Sequence, residues 1–209
     1  MDFQVWLAFV AASTALLLIP GPTVLLVLSY AISQGKRVAL ATVGGVALGD
    51  FIAMSASLAG LGALVLASAT LFTVLKWVGA IYLVYLGIKL FRSAATASLD
   101  DLEKVIETRA SSVFGHATAV TALNPKSIVF FIAFVPQFIV VESPLLPQFA
   151  ILIATFVGLA ALNALAYALL ADKLRSKIAQ PTVLAWFARL GGSALIAMGV
   201  ATAAFKRAQ

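Results

Sequence analysis

The chain has 209 residues, 63% hydrophobic and only 11% charged, with a net charge of +6, no cysteine and one histidine, His116. A soluble domain is about half apolar and about a quarter charged, so the excess apolar surface must face lipid. The lack of cysteine excludes disulfides and thiolate metal sites, no metal site or cofactor is expected, and the basic residues lie between apolar runs, which fits membrane topology better than nucleic-acid binding.

A spanning helix needs roughly 20 mostly apolar residues. The N-terminus, Met-Asp-Phe-Gln, has no basic segment before a long apolar run, so the first segment is expected to stay as a helix rather than be cleaved as a signal peptide. No charge occurs between Phe3 and Gly35, which gives helix one. From Val38 to Leu75 the only charge is Asp50. That stretch is too long for one helix, and a turn is expected at Gly60, Gly62 and the small residues Ala67–Thr70. Helix two then covers about 38–64 and helix three about 71–91, with Lys76 and Lys89 near opposite ends, where their stems can snorkel to the interface. Residues 93–112 hold Asp100, Asp101, Glu103, Lys104, Glu107 and Arg109, a mixed-charge run that reads as a solvated connector with a short helix over 99–108. Helix four runs about 114–136 with Lys126 as its only interior charge, helix five about 147–170 and helix six about 184–205.

The fold expected is all-α: a polytopic membrane protein with six transmembrane helices. Residues 1–92 form a first three-helix repeat, 93–113 a cytoplasmic connecting loop and 114–209 a second repeat. With six helices, the loops after helices one, three and five share one side, which collects Lys36, Arg37, Lys89, Arg92, Lys104, Arg109, Lys173, Arg175, Lys177 and Arg189. The other side has only Lys76, Lys206 and Arg207. Basic residues stay in the cytoplasm, so both termini are expected to be extracytoplasmic.

The two halves resemble each other, as in many transporters. Thr42, Gly45, Ala47 and Asp50 match Thr155, Gly158, Ala160 and Asn163 at a constant offset, and Gly79, Leu83 and Gly87 match Gly191, Leu195 and Gly199 at nearly the same one. Helix one breaks at Pro20-Gly21-Pro22 and helix four at Asn124-Pro125. Three helices is an odd number, so the second half is expected to be inverted relative to the first.

Depth singles out the candidate site: Pro20, Gly21, Pro22, Asp50, Asn124, Pro125, Lys126 and Asn163 all fall near the bilayer centre. Asp50 lies about twelve residues, roughly 18 Å of rise, into helix two. Proline inside a helix removes a backbone hydrogen bond, and in lipid the freed groups survive only inside the bundle or beside a wet cavity. The second half of a broken helix offers free N–H groups and a positive dipole end to a carboxylate. Asp50 could hold an ammonium or carry a proton, or pair structurally with Lys126, which could itself meet a carboxylate. Asn163 either lines the site or bonds helix to helix. His116 is expected at an interface near the end of helix four. One anionic and one cationic group complement a zwitterion. A small-ion channel or metal cation exporter, the alternative, would want carboxylate rings or soft ligands, and an intramembrane hydrolase would want serine and histidine together in the membrane.

Four motifs in order carry a resemblance: Pro20-Gly21-Pro22, Gly45-x3-Gly49-Asp50, Lys76-x2-Gly79-Ala80-x-Tyr82-Leu83-x2-Leu86-Gly87, and Ala122-Leu123-Asn124-Pro125-Lys126. They are similar to those of the LysE/RhtB family of amino-acid exporters, over essentially the whole chain. The resemblance implies a secondary transporter of the bacterial inner membrane, not an enzyme. It would expel amino acids or close derivatives, homoserine/threonine- or leucine-like, by proton antiport. The partners implied are a zwitterionic amino acid, protons and membrane lipid, with a homo-oligomer allowed.

Overall fold

The computed structural model describes residues 1–19, 21–34, 36–67, 69–93, 109–140, 143–178 and 181–204. Among these residues the regular structure is entirely helical. α1 (Phe3–Leu18) begins behind Asp2, whose side chain accepts from the Gln4 amide at 3.1 Å. It ends where Ile19 turns extended. α2 (Pro22–Gln34) starts on a proline, a residue suited to the first turn of a helix and not to its interior, and the two axes are bent by 59°. α3 (Lys36–Ala67) and α4 (Ala69–Ser93) follow. In the second half α5 (Ala110–Ala122) and α6 (Pro125–Ala133) repeat the arrangement with a 45° bend, and a 3-10 turn (Val135–Phe138) extends α6. α7 (Leu145–Ile178) and α8 (Pro181–Ala204) complete the described chain.

Among the described residues Val38–Ala63 of α3 and Leu145–Ala171 of α7 are each long and apolar enough to cross a membrane, and the two bent pairs qualify if each is taken as one span. The expected turn at Gly60 and Gly62 does not form, because α3 runs unbroken through both to Ala67. A glycine costs a helix interior about 1 kcal/mol, a cost the long helix absorbs; the Phe149 ring lies 3.4 Å from where a Gly62 Cβ would sit, an ordinary contact. The boundary between α3 and α4 lies within the Ala67–Thr70 part of the expected turn; Ser68 lies outside the described residues, as do most of the expected connector, its short helix over 99–108, Lys206 and Arg207.

Small residues set the tightest helix contacts. α3 packs on α5 at Gly45 and Gly49. A Cβ on Gly45 would come within 2.5 Å of the Phe114 carbonyl oxygen, and one on Gly49 within 2.7 Å of that of Thr118. α4 packs on α8, with the Gly192 carbonyl 2.6 Å from where a Gly87 Cβ would stand. Such bare backbones let membrane helices approach closely. Gly158, the sequence counterpart of Gly45, has nothing within 4 Å of its Cβ position, so the matched glycines do not do matching work.

The apolar interior falls into separate clusters. One is built on Phe9, Leu16, Met54, Leu83, Phe130, Phe131, Phe156 and Leu195. Within it Phe131 meets Phe156 edge-on at 4.8 Å. A second joins Val24, Val27, Val46, Ala164 and Tyr167. Large apolar side chains also cover the outside, among them Phe3, Leu40, Phe51, Ile81, Leu146, Leu162 and Trp186. Contiguous apolar surface of this kind is costly in water and not in lipid.

Candidate functional site

Helix ends leave backbone groups without intrahelical partners, and both helix breaks put such ends inside the bundle. At the second break Asn124 is the N-cap of α6: its side-chain oxygen accepts from the Lys126 amide at 3.0 Å, and Pro125 follows as the first helical residue. The other end of the Asn124 amide donates to Thr23 Oγ1 of α2 at 3.1 Å, and Thr23 Oγ1 lies 3.4 Å from Thr121 Oγ1 of α5. One buried asparagine thus ties the two breaks to each other. At the first break Gly21 precedes α2 and its carbonyl accepts from the Leu25 amide at 2.9 Å.

The end of α1 is held from the second half of the chain. Lys126 Nζ donates to the carbonyls of Leu16 and Ile19 at 3.3 and 3.1 Å. Asn163 Nδ2 of α7 donates to the Leu17 carbonyl at 3.1 Å, and the Tyr167 hydroxyl, one turn further along α7, to the Leu18 carbonyl at 3.4 Å. Four consecutive carbonyls therefore receive side-chain donors, and the one cation among these sits at the negative end of the helix dipole.

Asp50 lies near the middle of α3, 2% exposed. Neither a hydrogen bond nor an ion pair within 4.0 Å engages its carboxyl among the described residues. It borders a cavity of about 30 Å³ shared with Thr23, Asn124, Lys126, Ser127, Asn163 and Tyr167. Leu16 and Ala160 of the first apolar cluster and Val24, Val27, Val46 and Ala164 of the second complete the wall. The polar cavity is the seam between the two apolar masses. Its volume suits about one or two water molecules.

Of the residues singled out from the sequence, Asp50, Asn124, Lys126 and Asn163 meet at this cavity. Gly21 stands beside it, with Lys126 Nζ 3.3 Å from where a Cβ would be. Pro22 and Pro125 shape the breaks and point away, both exposed. Pro20 lies outside the described residues. Lys126 Nζ donates to main-chain carbonyls; Asp50 and Lys126 interact electrostatically across the cavity without an ion-pair contact within 4.0 Å. His116 is exposed on α5, with Nδ1 2.9 Å from the Tyr30 hydroxyl. Sequence reasoning missed Thr23, Ser127, Tyr167 and the α1 carbonyls. Tyr167 carried a signal: it follows Asn163 by four residues, hence on the same helix face.

Chemically, the start of α2 offers the Thr23 and Val24 amides and the start of α6 that of Ser127. One acidic and one basic side chain stand in the same wall. The sequence profile of the LysE type translocators matches residues 14–204. The homoserine/homoserine lactone efflux protein of Salmonella typhimurium is 34% identical over 209 residues, covering all of both chains. An uncharacterised membrane protein of Vibrio cholerae is 34% identical over 206 residues, 99% of this chain and 100% of its own. Another from Bacillus subtilis is 28% identical over 203 residues, 94% and 97% of the respective chains. No solved structure matches the chain with significance.

Proposed function

The chain belongs to the family of LysE type translocators, and on that premise we propose that it exports a small amino acid or close derivative, with homoserine and its lactone as the first candidates. The observation that carries this reading is the meeting of two broken helices at a buried cavity walled by Asp50, Asn124, Lys126 and Asn163. The full-length match to a relative named for homoserine and homoserine lactone efflux supports the substrate class.

In this reading a substrate carboxylate is received by the helix starts at Thr23–Val24 and Ser127, where free N–H groups and dipole ends favour an anion. The ammonium end faces Asp50. A cavity of about 30 Å³ is too small for an amino acid, so the conformation is closed. Loading requires the α1–α2 break to move against α6 and α7. Asp50 is the coupling group: it takes a proton from outside as it gives up the substrate ammonium, and returns the proton inside when it takes the next. The chain crosses the cytoplasmic membrane six times as two inverted three-helix repeats, with residues 93–113 in the cytoplasm and both termini outside. The basic-residue distribution supports that orientation.

The test is growth under load. Cells expressing the chain are compared with non-expressing cells on inhibitory homoserine, homoserine lactone and a panel of toxic amino-acid analogues. Expression should restore growth on homoserine or its lactone and lower their internal concentration. Equal growth across the panel would remove the export reading.

A further inference from the structure

Among the contacts at the cavity, the most unusual is a cation held by carbonyls. A lysine that merely escapes low dielectric extends toward an interface. Lys126 instead turns its ammonium onto the Leu16 and Ile19 carbonyls at 3.1–3.3 Å, at the only end of α1 that faces the cavity. α1 stops there and Pro20 has no N–H, so these carbonyls lack their usual i+4 partners; the Leu16 carbonyl also accepts the Ile19 amide at 3.2 Å and keeps a second lone pair for a donor. Leu16 and Leu17 line the same cavity as Asp50. Gly21 keeps the approach open, since a Cβ there would stand 3.3 Å from Nζ.

A lysine ammonium and the α-ammonium of an amino acid are the same chemical group: a primary –NH3+ with three donors. A cradle that satisfies one satisfies the other. We propose that the Leu16 and Ile19 carbonyls are the substrate-ammonium subsite, and that Lys126 is a tethered stand-in which fills it in the empty carrier. Arriving substrate puts its own ammonium on the carbonyls. Lys126 is displaced into the cavity, toward the substrate's carboxyl end, and the bound ammonium faces Asp50 across the cavity. On release Lys126 swings back and ties α6 to α1 again, so the empty form never leaves the carbonyl end of α1 bare in a low-dielectric interior. The cradle exchanges one cation for another; a zwitterion brings its own carboxylate for the displaced Lys126, and with the lactone the added positive charge is met by Asp50 in the same cavity wall.

The proposal rests on the export reading above and sharpens it. Homoserine and its lactone share the ammonium, but the lactone has no free carboxylate, so a carrier of both must grip what they have in common. An ammonium subsite of main-chain carbonyls does this without depending on a carboxylate contact.

The test measures equilibrium binding of homoserine lactone and of n-butylamine, which has the ammonium alone, to purified full-length protein in nanodiscs. Wild type is compared with Lys126→Met, which empties the cradle, and with Lys126→Gln, which keeps an N–H donor near the α1 end should the methionine variant insert poorly. If Lys126 holds the cradle about nine-tenths of the time, apparent affinity is reduced by the small free fraction, and its removal tightens binding about tenfold. Both amines should therefore bind Lys126→Met about tenfold tighter than wild type, and Lys126→Gln tighter than wild type by a smaller factor. Unchanged or weaker binding of both amines to the variants, with wild type still binding the lactone, would overturn the stand-in role alone. Absence of any binding of homoserine or its lactone to wild type would sink the export reading instead.

Discussion

Replacing Asn124 separates its two jobs. It caps α6 through its oxygen and joins the two helix breaks through its nitrogen. Asn124→Ser keeps a capping oxygen and loses the bond to Thr23, which is worth about 1 kcal/mol net. Asn124→Ala loses both; a lost N-cap adds about 1 kcal/mol, for about 2 kcal/mol in all. At 2–4 °C per kcal/mol for a chain of this size, the melting midpoint should fall by about 2–4 °C for serine and about 4–8 °C for alanine. Melting in a single detergent gives the order wild type, serine, alanine, and initial homoserine efflux from vesicles should fall in the same order, because the start of α6 and the Thr23 start of α2 lose their shared anchor. Serine and alanine variants that melt together would show that the cap contributes nothing. Wild-type transport by the alanine variant would refute the placing of the substrate between the two helix starts.

Glycine packing gives a paired prediction. Gly49→Ala puts a methyl 2.7 Å from the Thr118 oxygen and should cost about 1–3 kcal/mol through forced separation of α3 and α5, read as a lower melting midpoint and slower efflux, whereas Gly158→Ala, inside α7 with open space at its Cβ position among the described residues, should leave efflux unchanged and the melting midpoint no lower than wild type. Cysteines placed singly at Ser98 and Ala208 should label oppositely with an impermeant thiol reagent applied outside whole cells: Ala208→Cys reacts and Ser98→Cys does not, and the reverse pattern would invert the proposed orientation.

Much of this site was legible because its elements are chemical oddities in an apolar chain. A charge at Asp50, a second at Lys126 and prolines at Pro22 and Pro125 stand out in segments otherwise free of polar groups, and the membrane makes each costly unless enclosed. The structure brings Asp50 and Lys126 to one cavity, while Pro22 and Pro125 shape the helix breaks and are exposed. What Lys126 does was not legible, because its partners are the main-chain carbonyls of Leu16 and Ile19, and carbonyls have no letter in a sequence. The break itself was the clue: a helix that stops in a dry interior must have its last carbonyls met by something. Of the turn expected over Gly60, Gly62 and 67–70, the last part coincides with the α3–α4 boundary, while the two glycines lie inside α3. Glycine propensity is a weak local preference that the surrounding helix overrides. The matched Gly45 and Gly158 show the limit of internal likeness: one meets the α5 backbone and the other meets nothing.

The central claim is that the Asp50 cavity couples proton entry to substrate exit. Purified protein in vesicles, loaded with labelled homoserine and given an imposed pH gradient, tests it most directly when wild type is compared with Asp50→Asn, which keeps the shape of the side chain and removes its charge. The account predicts that wild type drives homoserine against its concentration gradient and collapses when the pH gradient is dissipated, while the asparagine variant inserts normally and shows no gradient-driven transport. Gradient-driven transport by Asp50→Asn at the wild-type rate would contradict it.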